Sequence, residues 1–229
     1  MLTDQERAEI AAAIAAAEKK TSGEIYCVLA ARSSDYRETP LAWAAGAAML
    51  GPALLLLLGV EVSVPSAVTG WTAVQVGAAA ETAARAALMG AILLQAVLFA
   101  AVGMFVAWRP VRILLTTPGL KAERVRQHAQ ELFFSKGVHE TAERTGVLIY
   151  VSLAEHRVEL VADEAIAAVV DHKEWDAVVA DLLKELRLGR TAKGLSDAAT
   201  RCGDILARHF PPGPRNPNEL PDTVLELPR

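Results

Sequence analysis

Two long uncharged stretches in the middle of the chain constrain its architecture more than any other feature. Residues 41–60 form a run of 20 without Asp, Glu, Lys or Arg, and residues 86–108 form a second run of 23. About 20 predominantly apolar residues cross a hydrocarbon core of roughly 30 Å as a helix. The alternative is a buried hairpin in a soluble protein, although core helices rarely stay uncharged for this length. The pattern therefore predicts a two-helix transmembrane hairpin.

The residues that flank the two runs predict the orientation of this hairpin. Trp43 and Trp108 lie near the outer ends of the runs, where interfacial aromatic residues are usual. Basic residues concentrate outside the hairpin, whereas the connecting loop carries Arg85 alone; the outer set is Arg32, Arg37, Arg109, Arg112, Lys121, Arg124 and Arg126. Because Lys and Arg mark the cytoplasmic side, we expect a two-span protein of the cell inner membrane with both termini in the cytoplasm.

Four of these basic residues are also candidates for lipid binding. Arg109, Arg112, Arg124 and Arg126 follow the second run closely. Basic side chains near the cytoplasmic leaflet are attracted to anionic lipid by about 1 kcal/mol each. The same residues satisfy the orientation rule without further lipid recognition, so both interpretations stay open. Acidic and basic residues are nearly balanced overall, with a net charge of −4, and no basic face for nucleic acid is indicated.

An even number of crossings returns the chain to the side that it left, so the flanking segments can fold together. Residues 1–40 offer one helix and one strand, which is too little to bury a core alone. We therefore predict that 1–40 and 109–210 form the first and second parts of one domain. Residues 41–108 would be the inserted hairpin, and the proline-rich residues 211–229 a tail rather than a structural element. Leu220, Val224 and Leu227 of this tail could lie in an extended groove.

Periodicity in the flanking segments predicts an α/β fold. Thr3 and Glu6 form a capping-box pattern before a helix, and residues 24–31 are apolar on both faces, as in a central strand. Residues 147–153 and 157–162 have the pattern of a β-hairpin. Further helices are predicted over 121–134, up to Gly189, and from about Thr191. The expected architecture is an α+β sandwich, with a short central sheet flanked by helices and interrupted by the hairpin.

Four segments resemble the TPM domain family, and in particular its bacterial branch, in which a membrane hairpin interrupts the domain. They are residues 21–25 (TSGEI), 145–153 (TGVLIYVSL), 157–163 (RVELVAD) and 218–222 (NELPD). The resemblance implies an α/β sandwich. The family is called a phosphatase family because of an activity attributed to plant thylakoid-lumen members, and other members are linked to photosystem repair or to receptor accessory roles.

The chain's own motifs do not identify a phosphatase. It contains no GxSxG, Walker or HExxH motif, and its five histidines do not follow a metal-ligand spacing. One acidic cluster remains, in which carboxylates at the end of a predicted strand and at the start of a helix can converge at one sheet edge. It comprises Asp163, Glu164, Asp171, Glu174 and Asp176, with His172 among them. Oxygen ligands of this kind suit Ca²⁺ or Mg²⁺. Alternatively, Asp163 and Asp171 cap helices and the others are solvated.

Glu24 stands at the start of an otherwise apolar strand. Such an acid usually persists because it is paired, and Arg157 is a candidate partner. It could also contribute to the acidic edge, so Glu24, Arg157 and His172 are candidate binding residues. The alternatives are a structural role for Glu24 and a surface position for His172.

Two functions follow as hypotheses. The first is a membrane-anchored TPM-like domain that binds a membrane protein and assists its assembly or quality control. The alternative is a divalent-metal-dependent phosphatase, a phosphomonoester hydrolase, that acts at the membrane surface. A transporter is disfavoured, because the amide of Gln95 offers little polar lining within the spans unless the protein oligomerises.

Overall fold

The computed structural model describes residues 2–59, 73–213 and 216–227. Val60, the last residue predicted for the first span, and residues 61–72 of the connecting loop lie outside this range. The chain divides into two compact units, of which the first comprises Met1–Asp35 and Thr117–Arg229 and the second Tyr36–Thr116.

The described residues form helices and strands in the following order: α1 (Asp4–Glu18), β1 (Glu24–Ala30), α2 (Glu38–Leu57), α3 (Ala73–Ala107), α4 (Arg109–Leu115), α5 (Pro118–Ser135), a 3-10 turn (Val138–Glu140), β2 (Gly146–Ser152), β3 (Arg157–Ala162), α6 (Glu164–Ala167), α7 (His172–Arg187), α8 (Thr191–His209) and β4 (Val224–Leu227).

A four-stranded sheet in the order β3-β2-β1-β4 organises the first unit. β1 is a central strand and runs parallel to both β2 and β4, whereas β2 and β3 form an antiparallel hairpin. Each of the seven residues of β1 pairs with a residue of β2, from Glu24 with Gly146 to Ala30 with Ser152. The predicted central strand and β-hairpin are thus confirmed.

Helices cover both faces of this sheet, which confirms the predicted sandwich. Ile25, Cys27 and Leu29 of β1 face a core formed with α1, α7 and α8. Tyr26 and Val28 face a second core that includes α5 and the chain's C-terminal segment. Both faces of β1 are therefore buried, as the apolar residues that follow Glu24 on both faces predict for a central strand.

Local signals explain how the covering helices begin and pack. The capping box of α1 is present, since the Thr3 hydroxyl accepts from the Glu6 N–H and the Glu6 carboxylate accepts from the Thr3 N–H. α1 and α8 approach closely at Gly203, where an added Cβ would lie 2.5 Å from the Cβ of Ala17. A larger residue at Gly203 would force these two helices apart.

The C-terminal segment corrects the sequence prediction. Residues 211–229 were predicted to be a tail rather than a structural element, with Leu220, Val224 and Leu227 as candidates for an extended groove. Val224–Leu227 instead forms β4 and pairs in parallel with Cys27–Ala30 of β1. The strand is short and follows a proline-rich stretch. Its partner lies almost the whole chain away in sequence, so no local pattern indicates the pairing.

The second unit consists mainly of α2 and α3, and both helices are long and apolar enough to cross a membrane. The four-residue spacing of Glu81 and Arg85 predicts a helical extension ahead of the second uncharged run. α3 indeed begins at Ala73, and these two residues form an ion pair within it at 2.5 Å. α2 and α3 approach closely at Gly51, where an added Cβ would lie 2.5 Å from Leu98 Cδ1. Small residues at such contacts are usual between membrane helices. Trp108 lies between α3 and α4.

Candidate functional site

The parallel strands give the sheet two distinct edges. We call the edge where Glu24 pairs with Gly146 the amino edge, and the edge where Ala30 pairs with Ser152 the carboxyl edge. β3 runs in the opposite direction, so its last residue, Ala162, lies at the amino edge and its first, Arg157, at the carboxyl edge. Both edges carry buried polar side chains.

Two of the predicted metal ligands act as helix caps. Asp163 lies at the amino edge, caps α6 and accepts the Glu164 N–H at 2.7 Å through Oδ1. Asp171 caps α7 and accepts the Lys173 N–H at 3.0 Å. Capping is the alternative role that the sequence offered for both residues. Glu164, His172 and Asp176 are exposed near the starts of these helices, and Glu174 is half-buried.

The structure does not assemble these acids into a ligand set. Across residues 2–59, 73–213 and 216–227, no three His, Cys, Asp or Glu side chains form a group that could hold a metal ion. Asp163 is buried, and its Oδ2 has no hydrogen-bond partner in that part of the chain. The guanidinium of Arg144 lies 3.9 Å from Oδ1, which disfavours a cation there. Binding of Ca²⁺ or Mg²⁺ stays an untested prediction.

Glu24 binds the chain's own C-terminal segment instead of an arginine. Its buried carboxylate accepts the N–H groups of Glu219 and Leu220 at 3.3 and 3.0 Å. Burial raises the pKa of Glu24, and the two N–H donors oppose this shift. Arg157 lies at the opposite edge and donates to the carbonyl of Pro118 at 3.1 Å. The suggested pairing of Glu24 with Arg157 is therefore wrong.

Glu18 is a second buried acid at the amino edge, which the sequence analysis did not single out. Its side chain is 7% exposed and accepts the Ile25 N–H at 2.8 Å. Burial raises the pKa of Glu18 to about 8, and the charges of Glu24 and Asp222 add to the shift. One signal was available in the sequence, because an acid in the last turn of a helix opposes the helix dipole.

Further contacts complete what we call the amino-edge clasp, which comprises Glu18, Glu24 and residues 216–222. The Asn216 amide donates to the carbonyls of Glu18 and Thr21 at 3.3 and 3.0 Å. The carboxylate of Glu219 accepts the Ala142 N–H at 2.8 Å. The clasp thus fixes the segment that leads into β4, next to the part of β1 that β4 does not pair with.

A different arrangement occupies the carboxyl edge, where five side chains form a continuous hydrogen-bonded network. The Ser33 hydroxyl donates to Ser152 Oγ at 2.9 Å, and the Ser152 hydroxyl donates to the carboxylate of Glu155. The Tyr150 hydroxyl lies 2.9 Å from Ser33 Oγ and 3.0 Å from Nδ1 of His128. Burial raises the pKa of Tyr150, so its phenol is protonated at neutral pH. We call these residues the carboxyl-edge network.

The carboxyl-edge network fixes the segment that leads away from β1. The Ser33 N–H donates to the Glu155 carboxylate at 3.2 Å, which holds residue 33 against the end of β2. Arg157, at the same edge, holds Pro118, the first residue of α5. Ser152 beside Glu155 resembles a nucleophile next to a base, but Ser152 is fully buried and therefore closed to a substrate. A structural role of the network follows.

One further spacing in the sequence has the form used by cysteine-dependent phosphatases. Five residues separate Cys202 from Arg208, a spacing that the sequence analysis overlooked. Both residues lie within α8, Cys202 is fully buried, and burial raises its pKa to about 12. A catalytic cysteine needs an accessible thiolate, so the structure excludes this pair as a phosphatase site.

Comparisons with known proteins agree with the fold. Residues 111–205 match the model of the TPM domain family, which confirms the resemblance seen in the sequence. The solved structure of the BA42 protein from the psychrophilic bacterium Bizionia argentinensis is similar, with a TM-score of 0.56 and 20% identity over 99% of this chain and 95% of that chain. At this identity the likeness supports the fold alone. None of the curated proteins matches the chain.

Proposed function

We propose that this chain, which carries a TPM domain, is a membrane-anchored binding module. It binds a membrane protein from the cytoplasmic side and assists the assembly or quality control of that protein. One observation carries the proposal: two exposed apolar helices are inserted between β1 and β2, whose residues nevertheless pair along the full length of both strands.

The strand pairing supports a hairpin that crosses the bilayer twice. β1 precedes α2 and β2 follows α3, so both strands must lie in the same compartment to pair. A chain that crosses once through α2 must then cross back through α3. The side chains of these helices suit hydrocarbon, since Leu57 is 85% exposed and Met104 76% exposed. Exposed apolar surface on this scale is unusual for a soluble protein.

The charges that flank the hairpin support a cytoplasmic domain. Seven Lys or Arg residues lie near the outer ends of the hairpin, against Arg85 alone in the connection. Arg109 and Arg126 are exposed, and Arg112 and Arg124 are half-exposed. Basic side chains near the cytoplasmic leaflet are attracted to anionic lipid headgroups. In this proposal they position the domain at the membrane surface of the cytoplasmic leaflet.

We place the partner at the carboxyl edge. Residues 31–37 connect this edge to α2 in sequence, so a protein held in the same bilayer comes within reach of it. The network through Ser33, Tyr150 and Glu155 keeps the edge rigid, which lowers the entropy cost of binding. His156 is exposed in the turn between β2 and β3 and offers a side chain at this edge for a probe.

Site-specific photo-crosslinking in cells tests the partner. A photoreactive amino acid at His156 should give a discrete adduct with an integral membrane protein. The control position is Glu143, which is exposed beside the amino edge and should not give that adduct. Equal adducts from both positions, or adducts with soluble proteins only, would contradict the proposal.

Protease protection tests the orientation separately. A C-terminal epitope tag should be digested in inverted inner-membrane vesicles and protected in intact spheroplasts. Digestion in spheroplasts would place the domain outside the cytoplasm. The helices would then still anchor the protein, but the proposed cytoplasmic role would be wrong.

A further inference from the structure

One side of α3 carries exposed residues at the spacing of a coiled-coil seam. Leu88, Ile92, Gln95 and Phe99 are separated by four, three and four residues, which places them along one stripe of a helix. Leu88 and Ile92 are 66% and 62% exposed, and Phe99 is 43% exposed. Among the described residues, these side chains therefore lie outside the close contact between α2 and α3, where Leu98 meets Gly51.

Gln95 lies in the middle of this stripe and in the middle of the second uncharged run. It is exposed, and its amide makes no hydrogen bond with any residue that the structure describes. Inside a hydrocarbon core no water is available to satisfy the amide, so an unpaired side chain there is strongly disfavoured. A partner that enters the bilayer must supply both a donor and an acceptor.

A second copy of the same chain meets this requirement with the same residue. A side-chain amide both donates and accepts, so two Gln95 amides related by a two-fold axis can bond each other reciprocally. The flanking Ile92 and Phe99 would then pack against their own counterparts. A polar residue at one core position of such a seam fixes the register and the number of helices that associate.

We propose that the protein is a homodimer in the membrane, formed by the α3 stripe Leu88, Ile92, Gln95 and Phe99 with the two Gln95 amides paired. The inference rests on the proposed insertion of the hairpin into a bilayer. It adds a partner that the proposed function does not include, namely a second copy held through the spans. The first unit of each copy keeps its carboxyl edge for a different protein.

Association of the full-length protein in liposomes tests the dimer. When copies labelled with a donor or an acceptor fluorophore are mixed, the energy transfer between them should rise with the protein-to-lipid ratio and fit a monomer–dimer equilibrium. Gln95→Leu should weaken the dimer about tenfold, as expected for loss of one interhelical hydrogen-bonded pair. Gln95→Asn keeps an amide and should retain most of the association. A Gln95→Leu protein that associates like the wild type would overturn the proposal.

Disulfide crosslinking gives a second, independent readout. Ile92→Cys should form a crosslinked dimer on mild oxidation, because the stripe faces its counterpart. Val97→Cys is the matched control: Val97 is 63% exposed but lies about half a turn from Gln95, and it should crosslink poorly. The native Cys27 and Cys202 are buried in the first unit and should not contribute. Equal crosslinking at both positions would overturn the assigned stripe.

Alkaline carbonate extraction of the reconstituted protein separates the proposed dimer from the proposed membrane anchor, because carbonate releases proteins that are not inserted in the bilayer. A protein that is inserted but stays monomeric at every protein-to-lipid ratio overturns the dimer alone, and a different membrane protein is then the candidate for Gln95. A protein that carbonate releases from the vesicles overturns both the dimer and the membrane anchor.

Discussion

Each edge of the sheet holds a neighbouring segment of the chain in place, but the two edges do so with different side-chain chemistry. At the amino edge, the buried carboxylates of Glu18 and Glu24 hold the C-terminal segment through backbone N–H groups. At the carboxyl edge, hydroxyl groups of Ser33, Tyr150 and Ser152 share hydrogen bonds around one carboxylate. Burial raises the pKa of both Glu18 and Glu24, and an acid whose pKa differs between the folded and unfolded states makes stability depend on pH. We therefore expect the amino edge to be the pH-sensitive end of the domain.

The largest effect should come from backbone packing at the amino edge. A Cβ added at Gly146 would lie 2.0 Å from the carbonyl oxygen of Val138, a contact that requires the backbone to shift. Gly146→Ala should lower the free energy of unfolding by roughly 3 kcal/mol or more. Denaturant titration in detergent measures this change in the full-length protein.

Gly119 provides the control for that substitution. It lies beside Pro118 near the carboxyl edge, and a Cβ there would meet nothing within 4 Å. Gly119→Ala should leave the free energy of unfolding within about 0.5 kcal/mol of the wild type. Similar losses in the free energy of unfolding for Gly146→Ala and Gly119→Ala would show that the amino edge is no more closely packed than the carboxyl edge.

The next effect concerns the acceptor that holds the C-terminal segment. Glu24→Ala removes the carboxylate and leaves the Glu219 and Leu220 N–H groups without their acceptor, so we expect a loss of about 2–3 kcal/mol. Glu24→Gln keeps an acceptor oxygen and should lose less. Limited proteolysis should show earlier cleavage within residues 216–227 for Glu24→Ala. A clasp that stays protected in Glu24→Ala would mean that β4 pairing alone holds the segment.

The same contrast explains what the sequence could predict. β1, the β2–β3 hairpin and the capping box at Thr3 were predictable, because each depends on residues close together in the chain. β4 was not, since its four residues pair with a strand about two hundred residues earlier. The partners of Glu24 were hidden for another reason. They are backbone N–H groups, which leave no signature in residue type.

The carboxyl-edge network was missed for a related reason. Ser33 lies more than a hundred residues before Tyr150 and Ser152 of β2, and each of the three alone is an ordinary loop or strand residue. The carboxylates that did stand out in the sequence, Asp163 and Asp171, cap the helices that begin at the next residue, α6 and α7. Clustering in sequence therefore indicated local capping, whereas the composite arrangements came from residues that are far apart in sequence.

Glu18 makes the pH dependence of the amino edge measurable. Its pKa is 4.5 without perturbation and about 8 in the folded protein. Between these values the folded state binds more protons than the unfolded state, so stability is lost as the pH rises from about 4.5 to 8. One such group contributes a slope of up to about 1.4 kcal/mol per pH unit. The raised pKa of Glu24 adds a contribution of the same sign.

Glu18→Gln should flatten this pH dependence. The variant keeps an oxygen for the Ile25 N–H but cannot ionise, so its stability should exceed that of the wild type most clearly above pH 8. Thermal unfolding between pH 5 and 9, converted to free energy, provides the comparison. Glu9→Gln, which changes an exposed acid of the same helix, should follow the wild type. Parallel curves for wild type and Glu18→Gln would locate the pH-sensitive group elsewhere.

The smallest effect should arise in the carboxyl-edge network. Tyr150→Phe removes one hydroxyl, but Ser33 still donates to Ser152, and the half-exposed His128 can bond water instead. The expected loss is therefore about 1 kcal/mol. Tyr26→Phe is a matched control on the same face of the sheet, because the Tyr26 hydroxyl has no hydrogen-bond partner among the described residues and its removal should cost less.

The free energy lost in Tyr150→Phe should also be the same at pH 5 and pH 8, since the substitution removes no hydrogen bond that a carboxylate accepts. A loss that differs between pH 5 and pH 8 would mean that the carboxyl edge also responds to pH, and the contrast between the two edges would fail.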